Sequence, residues 1–251
     1  MRNEVSVFVM SISNSSADIG YELSEYLEQL QISTSYWTQY IVPTKVTHRG
    51  EELIVLCSGY ATAYVLSFYI SRIWNFGDRP YFGLSFGNIE EGFNTINIES
   101  WIHPLLKQAR KANESAKNET DKMQFRFQLS QSTASQGFEV YYEQFETLLN
   151  MNLSLLQELM NEQTEIQSLV TSLYLMLGQQ NKVSEHLGRT TSTISTHMKN
   201  GKTPIILSTF QSIISVLSSL EMEKVENQTD ELQKNIRQNI TQRLHRFLPQ
   251  R

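Results

Sequence analysis

Apolar residues in this chain recur with two periods, and the change between them divides it. In the first half, short blocks rich in β-branched and aromatic residues alternate with longer stretches whose apolar positions return every three or four residues. Residues 5–12 (VSVFVMSI) have the composition of a buried central strand, and residues 81–89 (YFGLSFGNI) that of another. Residues 45–57 read as a hairpin, KVTHRG then EELIVLC, with Gly50 at the turn. Residues 123–129 alternate apolar and polar side chains, as an edge strand does. The pattern predicts a helix over 16–31, with Ile19, Leu23, Tyr26, Leu27 and Leu30 on one face, and extended chain over 36–42, ending at Pro43. A second helix over 61–74 carries Val65, Phe68, Tyr69, Ile73 and Trp74, and Gly77 and Pro80 punctuate it. A third, over 98–117, starts in earnest after Pro104, which a first turn tolerates. The order β, α, β-β, α, β, α, β predicts an α+β sandwich with helices on one face of an antiparallel-rich sheet.

The second half is helical throughout. Residues 132–137 are polar and aperiodic, which places a boundary there between a domain over 1–131 and another over 138–251. Over 138–177, Tyr141, Phe145, Leu148, Leu149, Leu155, Leu156 and Leu159 mark an apolar face, and Ile166, Val170 and Leu173 continue it. After Pro204 the apolar positions are Leu207, Phe210, Ile213, Ile214, Leu217 and Leu220, then Leu232, Ile236, Ile240, Leu244 and Phe247. That pattern fits an intramolecular bundle and a dimer seam equally. Arg237, Arg243, Arg246 and Arg251 at its end suit phosphate contact or a helix C-terminus.

Between these stretches, residues 173–201 (LYLMLGQQNKVSEHLGRTTSTISTHMKNG) form a distinct unit. Val183, Leu187, Ile194 and Met198 supply apolar positions for two short helices, and Gly188 stands between them where the backbone turns sharply. Ser184 is small enough for close helix approach, Thr190 is a good N-cap, and Gly201 a good stop. The outward positions are then Thr191, Ser192, Ser195, Thr196 and Lys199, hydroxyls and a cation suited to base edges and phosphates. An ordinary helical hairpin has the same outline. The pattern resembles the helix-turn-helix of bacterial repressors and resolvases, in which a Leu-Gly turn precedes a Thr-(Ile/Val)-Ser core in the recognition helix. Arg189 departs from it, standing where those proteins usually have an apolar residue. The resemblance implies that Thr191, Ser192, Ser195, Thr196 and Lys199 face DNA, with Arg189, Thr190 and Lys202 on phosphates.

Composition narrows the setting. The chain of 251 residues is long enough for two modest cores, and 40% hydrophobic with 10% aromatic residues indicates a folded protein. The single cysteine, Cys57, lies in an apolar run and reads as a small buried hydrophobe. No leader and no bilayer-length apolar run is visible, so a soluble, cytoplasmic protein without a membrane partner is expected. The net charge of −5 argues against non-specific coating of nucleic acid. From 178 to 204 the charged residues are Lys182, Glu185, Arg189, Lys199 and Lys202, so this segment alone is basic. His48, His103, His186 and His197 lack ligand spacing, and neither metal nor cofactor is expected.

The first half carries a second resemblance. The hairpin Arg49-Gly50-Glu51-Glu52-Leu53, the strand Phe82-Gly83-Leu84-Ser85-Phe86-Gly87 and the helix with Leu105-Leu106-Lys107-Gln108-Ala109-Arg110 resemble the nucleotidyl-cyclase and diguanylate-cyclase palm, a ferredoxin-like sandwich. Together with the C-terminal helix-turn-helix, the arrangement looks like that of SatD-type proteins of Gram-positive bacteria. The resemblance places Glu51, with Glu52 beside it, at an acidic metal-ligand position, and Arg110 where the family has a phosphate-binding lysine. It also places Ser11-Ile12-Ser13 where active cyclases carry an Asp-x-Asp pair, and hydroxyls cannot replace two carboxylates around Mg²⁺. The implied domain is a catalytically degenerate one that binds a nucleotide or serves as an interaction platform.

The leading expectation is therefore a dimeric regulator that binds double-stranded DNA, with the cyclase-like domain sensing a nucleotide or protein effector or joining two copies. The alternatives are a nucleotide-handling enzyme or sensor built on Glu51, Glu52 and Arg110, and a protein-interaction adaptor.

Overall fold

The fold is described by a computed structural model covering residues 3–13, 20–76, 78–118, 122–129, 139–222 and 227–244. The β-branched run near the N-terminus becomes β1 (Asn3–Ile12), joined by β2 (Thr44–Arg49), β3 (Glu52–Ser58), β4 (Pro80–Ile89) and β5 (Phe125–Phe127). They form a five-stranded sheet of order β2-β3-β1-β4-β5. The central place of β1 explains its lack of alternation, because it is paired on both edges and covered on both faces. Val7 lies opposite Leu56 of β3 and Ser85 of β4, both antiparallel. The β2–β3 hairpin turns at Gly50, whose φ of 55° is the left-handed conformation expected there. β5 runs parallel to β4, so the sheet is mixed.

The two faces of β1 belong to different cores. Val5, Val7 and Val9 join Ile54, Leu56 and Ile89 beneath α3 (Pro104–Asn118), which contributes Leu105, Leu106 and Ala109. Phe8, Met10 and Ile12 point the other way, into the core shared with α1 (Gly20–Thr38) and α2 (Thr62–Ile73). Helices thus cover both faces, where the sequence pattern predicts one. The difference follows from β5: a parallel neighbour requires a crossover connection, and α3 is that crossover. It packs so closely that a Cβ built on Gly83 would stand 2.0 Å from the Ala109 carbonyl oxygen and 2.2 Å from the Asn113 nitrogen.

A second difference lies at the end of α1. The helix continues to Thr38, through the start of the stretch expected to be extended. Trp37, 2% exposed, extends the buried face begun by Leu23, Leu27 and Leu30, so tertiary packing overrides the β-branched residues between them. The Asn235 side chain donates to the carbonyl of Trp37 at 2.7 Å and so occupies an acceptor at the helix end.

The remaining helices are α4 (Glu139–Asn161), α5 (Glu165–Leu177), α6 (Gln180–Leu187), α7 (Thr191–Asn200), α8 (Thr203–Ser219) and α9 (Gln228–Gln242). Of the two roles open to the apolar pattern of α8 and α9, the structure shows the intramolecular one. Ile206, Phe210, Ile213, Ile214 and Leu217 of α8 and Leu232, Ile236 and Ile240 of α9 share a core with α2. Phe210 stacks on Phe68 of α2 with ring centroids 4.0 Å apart. Arg72 of α2 donates to the Ser168 carbonyl at 2.8 Å and to the Ser172 hydroxyl at 3.1 Å on α5. Burial among these neutral acceptors pushes its guanidinium down to about 10. The polar stretch 132–137 and Ile19, Gly77 and Phe247 lie outside the described residues.

Gly83→Ala forces α3 off the sheet and is expected to lower unfolding free energy by about 2–3 kcal/mol, measured by urea denaturation. A change below about 0.5 kcal/mol would show that the close approach of α3 is not what the glycine provides.

Candidate nucleic-acid interface

The basic segment becomes two short helices, α6 and α7, between α5 and α8. α5 opens with a capping box: Thr164 accepts from the Gln167 N–H, and the Gln167 side chain accepts from the Thr164 N–H. It closes at Gly178, φ 71°, and α6 follows. α6 closes at Gly188, φ 60°, where the Arg189 N–H donates to the Ser184 carbonyl at 3.0 Å. These left-handed residues let each helix end and the chain reverse without strain. Thr190 caps α7 by accepting from the Thr193 N–H at 3.2 Å. Val183 and Leu187 of α6 meet Ile194 and Met198 of α7 and Val170 and Leu173 of α5 in a buried cluster. Arg189, the departure from the repressor-like pattern, is exposed at the turn, so its charge is solvated.

The corner between α7 and α8 begins at the glycine that the sequence marks as a stop. Gly201 ends α7 with φ −81°, and the following Lys202 takes the left-handed conformation, φ 53°. Gly201 is there for space: a Cβ would lie 2.8 Å from Gln167 Cβ and 3.1 Å from Gln163 Nε2. Gln163 donates to the Gly201 carbonyl and to the Thr171 hydroxyl, which shares a 2.6 Å hydrogen bond with Thr203. This buried polar cluster pins α8 to α5. Periodicity does not reveal it, because Gln163, Thr171 and Thr203 lie on three separate segments.

The predicted contact residues divide into two groups. Thr191, Ser192, Ser195, Thr196 and Lys199 are all exposed on one face of α7, opposite the buried Ile194 and Met198. α7 contains no acidic residue. Its first turn also leaves the N–H groups of Thr191 and Ser192 without an intrahelical partner, at the positive end of the helix dipole. Arg189 is exposed beside them, and Lys182 of α6 adds an exposed cation absent from the predicted set. The other two predicted contacts are engaged within the fold: the Thr190 hydroxyl serves as the cap, and Lys202, half-buried, pairs with Glu162. Thr196 donates to the Ser192 carbonyl at 3.0 Å, which leaves its oxygen free only to accept.

The second predicted site is less open. Glu52 and Arg110 come together, Oε2 to Nε 3.5 Å, and Glu51 is exposed at the hairpin turn. The cation expected on phosphate therefore already faces a carboxylate. Ser11, at the position of a metal acid in the implied palm, donates to Asn113 Oδ1 at 2.6 Å. The Asn113 amide donates in turn to the carbonyls of Val9 and Tyr81, so this buried cluster ties α3 to the sheet. Among the described residues no group of three or more His, Cys, Asp or Glu is placed to hold a metal ion. Cys57 is buried, which pushes its thiol above the usual range. Among the described residues no helix is long and apolar enough to cross a membrane.

Thr190→Ala removes the cap and is expected to cost about 1 kcal/mol, confined to α7. The check is amide hydrogen exchange, faster in α7 and unchanged in α2; uniform acceleration would contradict a local role. Comparisons with protein-family models, curated proteins and solved structures return no match.

Proposed function

We propose that the chain is a sequence-specific DNA-binding regulator in which α5, α6 and α7 act as a helix-turn-helix unit and α7 reads the major groove. The observation that carries this reading is the division of α7 into a buried face, Ile194 and Met198, and an exposed, carboxylate-free face of hydroxyls and Lys199. Short hydroxyls hydrogen-bond base edges and phosphates alike, and Lys199, Lys182 and Arg189 supply the electrostatic part. The basic patch is local, which is what an acidic chain needs to bind one class of site without coating DNA.

The ferredoxin-like, cyclase-like reading of the first half is part of the same proposal. What supports it is the antiparallel order β2-β3-β1-β4 with α1 and α2 in the connections, the order a βαββαβ sandwich produces. The Glu52–Arg110 pair and the Ser11–Asn113 bond weigh against phosphate chemistry there, so this domain serves sensing or assembly.

Paired half-sites call for two copies. Since α8 and α9 place most of their apolar residues internally, the surface that suits a second copy is the stripe Leu148, Met151 and Leu155 on α4, exposed by 58%, 58% and 65%.

The test starts from duplexes selected from a random library by the full chain. Lys199→Ala is expected to weaken binding to every sequence and reduce the salt slope by about 1, while Ser195→Ala costs about 1–3 kcal/mol at one base position. Fluorescence anisotropy across a salt series reads both, and sedimentation of the complex reads two protein copies per duplex. Failure to enrich any sequence, or indifference to both substitutions, would sink the DNA reading; one copy per duplex would sink the dimer.

A further inference from the structure

Cations of α6 and α9, far apart in the chain, meet across one open groove. It measures about 840 Å³ and lies between the end of α5, the start of α6, α8 and α9. Lys182 lines it from α6 and Lys234 and Arg237 from α9, and Asp230 is the acidic residue of the lining among the described residues. Asp230, Lys234, Arg237 and Thr241 recur at steps of three and four, so α9 presents them as one stripe while Leu232, Ile236 and Ile240 are buried.

The three cations are unspent. Among the described residues Lys182, Lys234 and Arg237 form no ion pair, and neither lysine side chain donates a hydrogen bond. Arg237 is half-buried, and its Nε donates to the hydroxyl of the fully buried Tyr69 at 2.9 Å. One edge of the guanidinium is thereby fixed to the core, and the terminal nitrogens remain as donors. In a chain of net charge −5, positive charge thus outweighs negative along this lining.

The shape decides the class of partner. A site for a small molecule encloses most of its ligand and is walled mainly by apolar and aromatic side chains. Here Lys182, Lys234, Gln238, Thr241 and Gln242 are exposed, no aromatic residue is among the described lining, and the apolar part is Met176 and Leu177. An open, cationic groove with amide and hydroxyl donors suits a polyanion that lies along it, and the backbone of a duplex, with its repeated phosphates, is such a partner.

We propose that this groove holds the DNA backbone beside the bases read by α7, with Lys182, Lys234 and Arg237 on phosphates. The proposal rests on the DNA reading, in which Lys182 already takes part, and adds α9 to the contact surface. Phosphate contacts fix how a protein sits on the duplex without selecting its sequence. Anchorage through α9 as well as α6 therefore sets the register of α7 in the major groove.

The test uses the full chain and duplexes that it selects from a random library, with affinity read by fluorescence anisotropy across a salt series. Lys234→Ala and Arg237→Gln are each expected to reduce the salt slope by about 1, to weaken every sequence alike and to leave the selected motif unchanged. Lys107→Ala removes the same charge from an exposed position of α3, on the other face of the sheet, and is expected to leave the slope unchanged. Lys234 is exposed and makes no side-chain hydrogen bond or ion pair among the described residues, so its variant carries the test even if Arg237→Gln does not fold. If the unsubstituted chain selects no duplex, the DNA reading falls and this inference with it. If it selects duplexes but Lys234→Ala keeps the full slope, or Lys107→Ala loses as much, the groove is not on DNA while the helix-turn-helix reading stands. A full slope in Lys234→Ala, together with pyrophosphate binding that this variant loses, would assign the groove to a compact anion instead.

Discussion

The stack of Phe210 on Phe68 is the contact on which the arrangement depends, because it draws α8 into the core of the sheet's helical face. Two phenylalanine rings bring large apolar area and a preferred geometry to one place. Tyr64 and Tyr69 add to it from α2, at 5.6 Å and 6.1 Å from the Phe210 ring. With α8 fixed there, the chain before it has little freedom. The polar cluster of Gln163, Thr171 and Thr203 sets the angle at which α7 arrives, and Arg72 secures α5 to α2. The α6–α7 pair is small, and its position is inherited from a larger core through α5 and α8.

That inheritance explains how polar groups are shared out in the basic segment. Thr190, Lys202 and the Gly201 carbonyl are engaged in holding the unit together. Thr191, Ser192, Ser195 and Lys199 have no such task and stand exposed on one face. The proposed function rests on this second group.

Much of this architecture is legible from pattern alone, for identifiable reasons. β1 is rich in β-branched and β4 in aromatic residues, Gly50 marks the hairpin, and Gly188 with Thr190 marks the turn and cap of α7. Local chemistry decides each of them. What escapes the sequence depends on partners distant along the chain. Trp37 prolongs α1 because a tertiary pocket receives it, and α3 takes the second face of the sheet because β5 pairs parallel to β4. The local sequence does not show that Thr190 accepts from the Thr193 N–H or that Lys202 pairs with Glu162. Gly201 ends α7 as expected, but the local sequence does not show that the left-handed residue is Lys202 or that the glycine serves close packing.

The central claim is that α7 meets specific DNA in the cell, and site-directed photocrosslinking tests it most directly. A photoreactive residue at position 195 of the full chain is crosslinked in cells that make the protein, and the attached DNA is sequenced. The account predicts discrete genomic sites that share two half-sites about one helical turn, ~34 Å, apart or a multiple of it. Crosslinks distributed like total DNA, or captured protein in place of DNA, would contradict it.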